Sequence, residues 1–416
     1  MINIKFRILF FAVFLMIAVS SQAFADLGIG FFGSIHTPGS AHDMFARDNY
    51  IYLGDWEAGL AVVDVSVDWN PHIVGSFDTP GLANSVQVVG DYAYVADWSY
   101  GVSIIDISNP ISPQQISFWD SPGTAYNVFV MGNYAYLADF NRGLSILDVS
   151  NPTAPSFVSS YQTGSFVCGV WGEGSHIYLA DFSNGLFTFD VSNPDTAMLT
   201  DSFHTDGTAF NVTGGNGDLY LCDGLRGVKI FSLSDPAHPS YLTTIPTPGF
   251  VNDAFLADTI LYIADDSSGA LLYSVAIPSL PYALASYNSP GVARGIFAAP
   301  PFFYLGDSDS FIVLYYGEII GIGENPNMPA EFELKGAYPN PFNPQTTVEF
   351  SLKRKSTISI DAYNIAGQYV GNLASGIFDA GDHSVVWNGA NLPSGIYFVR
   401  LSADGLSKTI KATILK

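Results

Sequence analysis

The chain has 416 residues, 48% hydrophobic and only 13% charged, with a formal net charge of −23. Between Asp26 and Gly323, thirty acidic residues against five basic give a balance of −25, whereas residues 325–416 carry seven acidic and eight basic. Phosphate recognition needs clustered Lys and Arg, so nucleic acid and anionic lipid are excluded as partners of the large region. Cys168 and Cys222 make no disulfide framework and read as small buried hydrophobes. The seven histidines form no HExxH or HxxxH pair, and no Cys/His cluster occurs, so neither a metal nor another cofactor is expected.

In chain order, residues 1–25 come first. Lys5 and Arg7 precede an apolar run from Ile8 to Val19, and Ala23, Phe24 and Ala25 supply small residues for cleavage. This predicts an export signal peptide, too short and too early for a spanning helix. No later stretch is apolar long enough to cross a bilayer, and no cysteine follows the signal to accept a lipid.

Residues 26–320 are a repeat. A tyrosine–apolar–small–Asp element places Asp55, Asp97, Asp139, Asp181, Asp223, Asp265 and Asp307 at an unbroken 42-residue step. A second marker, "TPG" and its variants, keeps the same step at Gly39, Gly81, Gly123, Ser165, Gly207, Gly249 and Gly291. "DVSNP" or its variants supply a third, at Asp106, Asp148 and Asp190. Within a unit such as 124–165, "AYNVFVM", "YAYLAD", "LSILDV" and "PSFVSSY" alternate apolar with small or polar residues between Gly, Asn and Pro breaks. Four short strands per unit and seven units predict an all-β fold, a seven-bladed β-propeller. The seventh unit ends at "FIVLYYG" (311–317) without a fourth strand. "IGFFGSIHTPG" (29–39) aligns with a fourth strand instead, so the N-terminal segment is expected to close the last blade and cover its open edge.

These units resemble the LVIVD-repeat family, whose blades carry "YVAD…GL.I.DVSNP..P" in this order. The resemblance spans 29–317 and is strongest in the second to fourth copies; Ser232, Ser274 and Tyr316 replace the second Asp in the last three. It implies a propeller on exported or surface proteins, without a defined chemistry. The Trp-Asp and double-glycine markers of WD-type and kelch propellers are missing.

Residues 321–336 have the Pro, Asn and Glu content of a linker. Beyond it, 337–416 reads as about seven short strands, hence a small immunoglobulin-like β-sandwich. "YPNPFNP" (338–344), "YNIAGQYV" (363–370), "AGDHSVVWNG" (380–389), "SGIYFVRL" (394–401) and Lys416 closely resemble the C-terminal sorting domain of the type IX secretion pathway. The resemblance implies that the type IX machinery is a partner through 337–416. It also implies a protein secreted from, or held at the outer-membrane surface of, a Gram-negative-type bacterium.

Seven identical acids at seven equivalent strand ends argue for a structural role. Asp139 and its equivalents are expected to accept hydrogen bonds from backbone N–H groups of the following turn, as are Asp64, Asp106, Asp148 and Asp190. What varies at a fixed repeat position is more informative, because the fold does not dictate it. Three residues after the TPG glycine position stand His42, Asn84, Tyr126, Cys168, Phe210, Asn252 and Arg294. The next position holds Asp43, Ser85, Asn127, Gly169, Asn211, Asp253 and Gly295. Both columns begin the innermost strand and should ring the mouth of the central channel. The loop after the repeated Asp reaches the same face with Trp56, Trp98, Phe140 and Phe182, and further on with Tyr100, Arg142 and Arg226.

An aromatic and amide rim suits a glycan, peptide or protein ligand, which makes a binding or interaction module the leading expectation. Packing between blades is the competing explanation for the four aromatics. No nucleophile motif, phosphate loop or EF-hand loop occurs, so no catalytic residue is assigned. A hydrolase or lyase at the channel mouth would require His42, Asp43, Asp253 and Arg294 to converge within hydrogen-bonding reach. A purely structural envelope protein is the third expectation.

Overall fold

The computed structural model describes residues 27–67, 70–318, 332–364, 369–403 and 406–416. The expected signal peptide, and residues 321–331 of the expected linker, lie outside the described residues, whereas 332–336 belong to a strand of the sandwich rather than to a linker. Two compact units form, one of residues 27–317 and one holding the described residues of 318–416.

In the first unit, 28 strands make seven four-stranded antiparallel sheets. The first blade runs Asp43–Arg47, Tyr50–Gly54, Leu60–Asp64 and His72–Phe77, from channel to rim, and the pattern repeats at the sequence period. Val, Ile, Leu and Tyr dominate the two middle strands of each blade because both their faces are covered by neighbouring blades. A bulge recurs between the third and fourth strands of each of the first six blades, as at Val62/Val63 and Ile146/Leu147. It increases the local twist that lets flat sheets pack radially.

The core is a ring of clusters, each shared by two adjacent blades. Tyr52, Leu60 and Val62 of blade one pack on Val86, Val88 and Val95 of blade two, and the arrangement continues around the ring. The tyrosine three residues before each repeated Asp is buried in all seven blades, from Tyr52 to Tyr304. Blade seven is built from Ala293–Ala299, Phe302–Asp307, Ser310–Glu318 and, outermost, the N-terminal strand Leu27–His36. The expected closure is therefore present. Phe32 and Ile35 pack with Tyr304, Phe311 and Val313 against Met44 and Ile51 of blade one, so the first and last blades share one core.

The second unit contains seven strands in two sheets. One joins Phe332–Tyr338, Gln345–Leu352 and Gly381–Asn388; the other orders Tyr369–Phe378, Ser356–Asn364, Gly395–Ala403 and Leu406–Ile414. Their inner faces enclose Val348, Phe350, Ile360, Trp387, Val399 and Leu401. Phe342, from "NPFNP", is buried in that core and pairs its backbone with Thr413 and Leu415. The tail is thus a sandwich, as its alternation predicts.

The closing strand makes a specific forecast. Deleting residues 27–36 leaves Ser310–Glu318 with an unpaired edge and strips Phe32 and Ile35 from the shared core. We expect a lower unfolding temperature and self-association, read by thermal denaturation and light scattering; an unchanged midpoint contradicts the closure.

Candidate functional site

The repeated aspartates explain what holds the channel face in place. All seven are buried, with exposures of 0–2%. Asp97 accepts Thr79 Oγ1 at 2.7 Å, Gly81 N at 3.2 Å and Ser103 Oγ at 3.1 Å. Asp139 accepts Ser121 Oγ at 2.6 Å and Ser145 Oγ at 2.8 Å. Asp307 takes Ser289 Oγ at 2.6 Å and Gly291 N at 2.8 Å. The expected structural role holds, but the donors correct the expectation. They come mainly from the "TPG" connection that precedes the blade, not from the turn that follows. Only Asp181, where "TGS" replaces "TPG", takes an amide of its own following turn, Asn184 N at 3.2 Å. Asp64, Asp106, Asp148 and Asp190 do cap the following turn, through Ser66, Ser108, Ser150 and Ser192 N at 2.7–2.8 Å. Glycine is required beside the buried carboxylate, since a Cβ at Gly39 or Gly81 would overlap the carbonyl of Asp55 or Asp97.

The residue after five of the seven buried Asp side chains fastens its blade to the next through an isolated bridge. Trp56 and Ala83 exchange two backbone hydrogen bonds at 3.0–3.1 Å, and Trp98 with Ala125, Phe140 with Val167, Gly224 with Val251 and Asp266 with Ala293 form the same bridge. The turn puts this residue in the left-handed region, at φ +44° for Trp56, +51° for Trp98, +37° for Phe140 and +57° for Gly224. Glycine adopts that conformation freely, whereas a bulky residue is strained there by about 1 kcal/mol or more. Phe182 departs from the column: its N–H bonds Phe166 O at 2.8 Å, its φ is not positive, and its ring lies outside the aromatic contacts below.

Those aromatics form a continuous arc. His42 stacks on Trp56 with centroids 4.3 Å apart, Trp56 meets Trp98 edge-on at 5.2 Å, and Trp98 meets Tyr126 at 5.5 Å and Phe140 at 6.3 Å. Phe140 stacks on Phe166 at 4.4 Å, and Tyr126 continues to Phe210 and Phe250. Sequence reasoning missed Phe166 and Phe250. Their column, directly after the TPG glycine, reads Ser40, Leu82, Thr124, Phe166, Thr208, Phe250 and Val292, and aligning it would have exposed both.

One cavity at the channel mouth is lined by His42, Asp43, Asn84, Tyr126, Asn127, Phe210, Asn211, Asn252, Asp253 and Arg294, with Ser85 and Cys168. It leaves about 50 Å³ for the centre of a water-sized molecule, room for a few waters. Trp56 and Trp98 reach this group through ring contacts, whereas Tyr100, Arg142 and Arg226, in the turns after Asp97, Asp139 and Asp223, do not line the cavity. Cys168 and Cys222 are free and buried, and burial pushes the Cys168 thiol up to about 12, so neither is a poised nucleophile.

Much of the polar lining is engaged in stitching blades together. Asp43 accepts Met44 N at 2.7 Å and, in the next blade, Val86 N at 3.2 Å. Asp253 accepts Ala254 N at 2.8 Å, Ile296 N at 2.9 Å and Asn211 Nδ2 at 2.7 Å. Asn84 bridges His42 Nδ1 at 3.0 Å and Tyr126 O at 2.6 Å, and Asn252 donates to Ala293 O at 2.8 Å. Gly295 sits between the blades carrying Asp43 and Asp253, and a Cβ there would overlap the His42 carbonyl. Burial, then the charge of Asp43, raises the Asp253 carboxyl to about 8. Burial and the Arg294 charge lower His42 to about 4, so the imidazole is neutral at pH 7. Among the described residues, no group of three or more His, Cys, Asp or Glu side chains could hold a metal ion.

Known proteins share pieces of this molecule. A model of the LVIVD repeat matches residues 38–79, 80–119, 122–163 and 165–205, and a model of the secretion system C-terminal sorting domain matches 336–416. Among curated proteins no match is found. Solved structures share the fold. A chain of a mitotic checkpoint complex is 11% identical with a TM-score of 0.58, covering 75% of this chain and 99% of its own. The WD40 β-propeller domain of Doa1 is 11% identical with a TM-score of 0.57, covering 69% and 97%. The computationally designed protein Ika8 is 8% identical with a TM-score of 0.54, covering 69% and 99%. At such identities only the fold is shared.

Two substitutions separate clasp from channel. Asp139→Ala removes the acceptor of the buried Ser121 and Ser145 hydroxyl protons and should cost about 2–4 kcal/mol in chemical denaturation, whereas Tyr126→Phe should change stability by less than about 1 kcal/mol. The raised Asp253 carboxyl binds its proton more tightly folded than unfolded, so stability falls as pH rises towards 8. His42, lowered when folded, acts oppositely between about 4 and 6.5. The clean window is therefore pH 6.5–8, with a slope of at most about 1.4 kcal/mol per pH unit. Asp253→Asn should flatten that slope; an equal slope in the variant contradicts the assignment.

The chain carries LVIVD repeats at residues 38–205 within a seven-bladed β-propeller, followed by a type IX C-terminal sorting domain that marks it for secretion or display at the outer-membrane surface.

Proposed function

We propose that the propeller is a binding module displayed outside the cell, with the channel-mouth face as its ligand surface. The supporting observation is the column Trp56, Trp98, Phe140 and Gly224. All four make the same backbone bridge in the same left-handed turn, and glycine satisfies it without strain. Three consecutive blades nevertheless hold large rings there, half-buried and joined in one arc. Large, rigid aromatic surface is what recognition sites use, because it offers contact area at low entropic cost. On this reading, residues 1–25 take the chain across the inner membrane, and the tail engages the secretion machinery.

A second reading, a hydrolase or lyase, draws on the Asp43–Asp253 carboxyl pair, whose shared burial resembles an acid/base site. Against it, each carboxylate is already occupied by at least two main-chain amides, and the cavity admits only a few waters.

Pull-down from culture supernatant and a glycan array, both with the full chain, test the module. A retained partner is expected, lost in Trp98→Gly with little loss of stability. If Trp98→Gly instead unfolds the protein and leaves no effect on capture by Phe140→Gly, the arc serves packing alone. Turnover of a polysaccharide or ester, abolished by Asp253→Asn, would favour the enzyme.

A further inference from the structure

The propeller has five basic residues, and four have evident structural settings or lie away from the channel cavity. Arg47 pairs with Asp91 at 2.9 Å, and Lys229 lies 3.4 Å from buried Asp223. Arg142 and Arg226 do not line the cavity, although the Nε of Arg142 is likewise buried without a partner. Arg294 alone lines the cavity. Its Nε is buried without a hydrogen-bond partner, and no carboxylate among the described residues lies within ion-pair distance of it. Its charge acts on His42 in blade one and on Tyr126 in blade three, and all three residues line the cavity. His42 is neutral and Tyr126 keeps its proton. The carboxyls of Asp43 and Asp253, one residue further along the inner strands, are held by main-chain amides. A fork of guanidinium donors thus faces a small polar space bounded by aromatic rings.

Resting on the binding reading above, we propose that Arg294 receives the terminal carboxylate of an extended peptide, which lays an apolar side chain against the aromatic arc. Arginine matches a carboxylate with two parallel N–H bonds. The space beside it, about 50 Å³ for the centre of a water-sized molecule, suits a group as small as a carboxylate. The amides of Asn84, Asn211 and Asn252 are spent within the protein, which leaves few donors for sugar hydroxyls. A balance of −25 in this region repels a polyanionic glycan and tolerates a single buried carboxylate on a neutral or basic peptide. Phe166, exposed and stacked on Phe140, extends the apolar surface of the arc.

The test uses the full chain with N-acetyl-phenylalanine, its C-terminal amide and glucuronic acid, followed by thermal shift and by NMR titration. Only N-acetyl-phenylalanine should raise the unfolding temperature, because only it is bound selectively by the folded state. The amide should bind on the order of 10- to 100-fold more weakly, and so should Arg294→Gln with the acid. Arg294→Lys, which keeps the charge and loses the fork, should fall between and covers the case in which the glutamine variant fails to fold. Equal binding of acid and amide, no binding of the acid, or binding of glucuronic acid alone overturns the proposal. In each of those outcomes a partner found by pull-down or glycan array leaves the binding module standing.

Discussion

A carboxylate moved out of water costs several kcal/mol unless donors replace its hydration. Six of the seven buried aspartates in this propeller meet that demand in related ways, through a hydroxyl, a glycine amide or both from the connection that enters their blade, and Asp181 through Asn184 N. Because the connection arrives from the preceding blade, each bond set fixes one sheet's position relative to the last. Burial raises the carboxyls of Asp55, Asp97, Asp139 and Asp223, and the hydroxyl donors oppose that rise. The left-handed residue that follows then bonds forward to the next blade. Blade angle, channel width and placement of the mouth residues all depend on this two-sided clasp.

A repeat array has no boundary condition at its ends, so closure decides whether a ring forms. Here the N-terminal strand supplies the outermost strand of blade seven, and its Phe32 and Ile35 enter the same cluster as Met44 and Ile51. The seam becomes one more inter-blade core. The glycines at 169 and 295 show a similar economy at the channel, since each gives way to a neighbour's strand that a side chain would block.

The fold was legible because a 42-residue period without insertion leaves few alternatives, and because the alignment of residues 29–39 with a fourth strand needs only pattern matching. The partners of Asp139 were harder to read. Its donors are Ser121, 18 residues upstream, and Ser145 on the next strand, whereas local turn chemistry points to the nearer amides. At the channel, the columns of His42 and Asp43 marked the lining, but not that Asn84, Asn211 and Asp253 spend their polar atoms on neighbouring blades. Such bonds run between residues 42 or 43 apart and become visible only when the ring closes. The strain at Trp98 was hidden for a related reason, as its φ follows from a bridge to Ala125 in the next blade.

The division between a repeating clasp and a non-repeating mouth is the central claim. Amide hydrogen exchange of the full chain, with and without a captured partner, tests it most directly. Added protection confined to residues 55–59, 97–101, 139–143 and 223–227, with the starts of the inner strands, agrees with recognition at the mouth. Protection on the outermost strands or the opposite loops, with these segments unchanged, contradicts it.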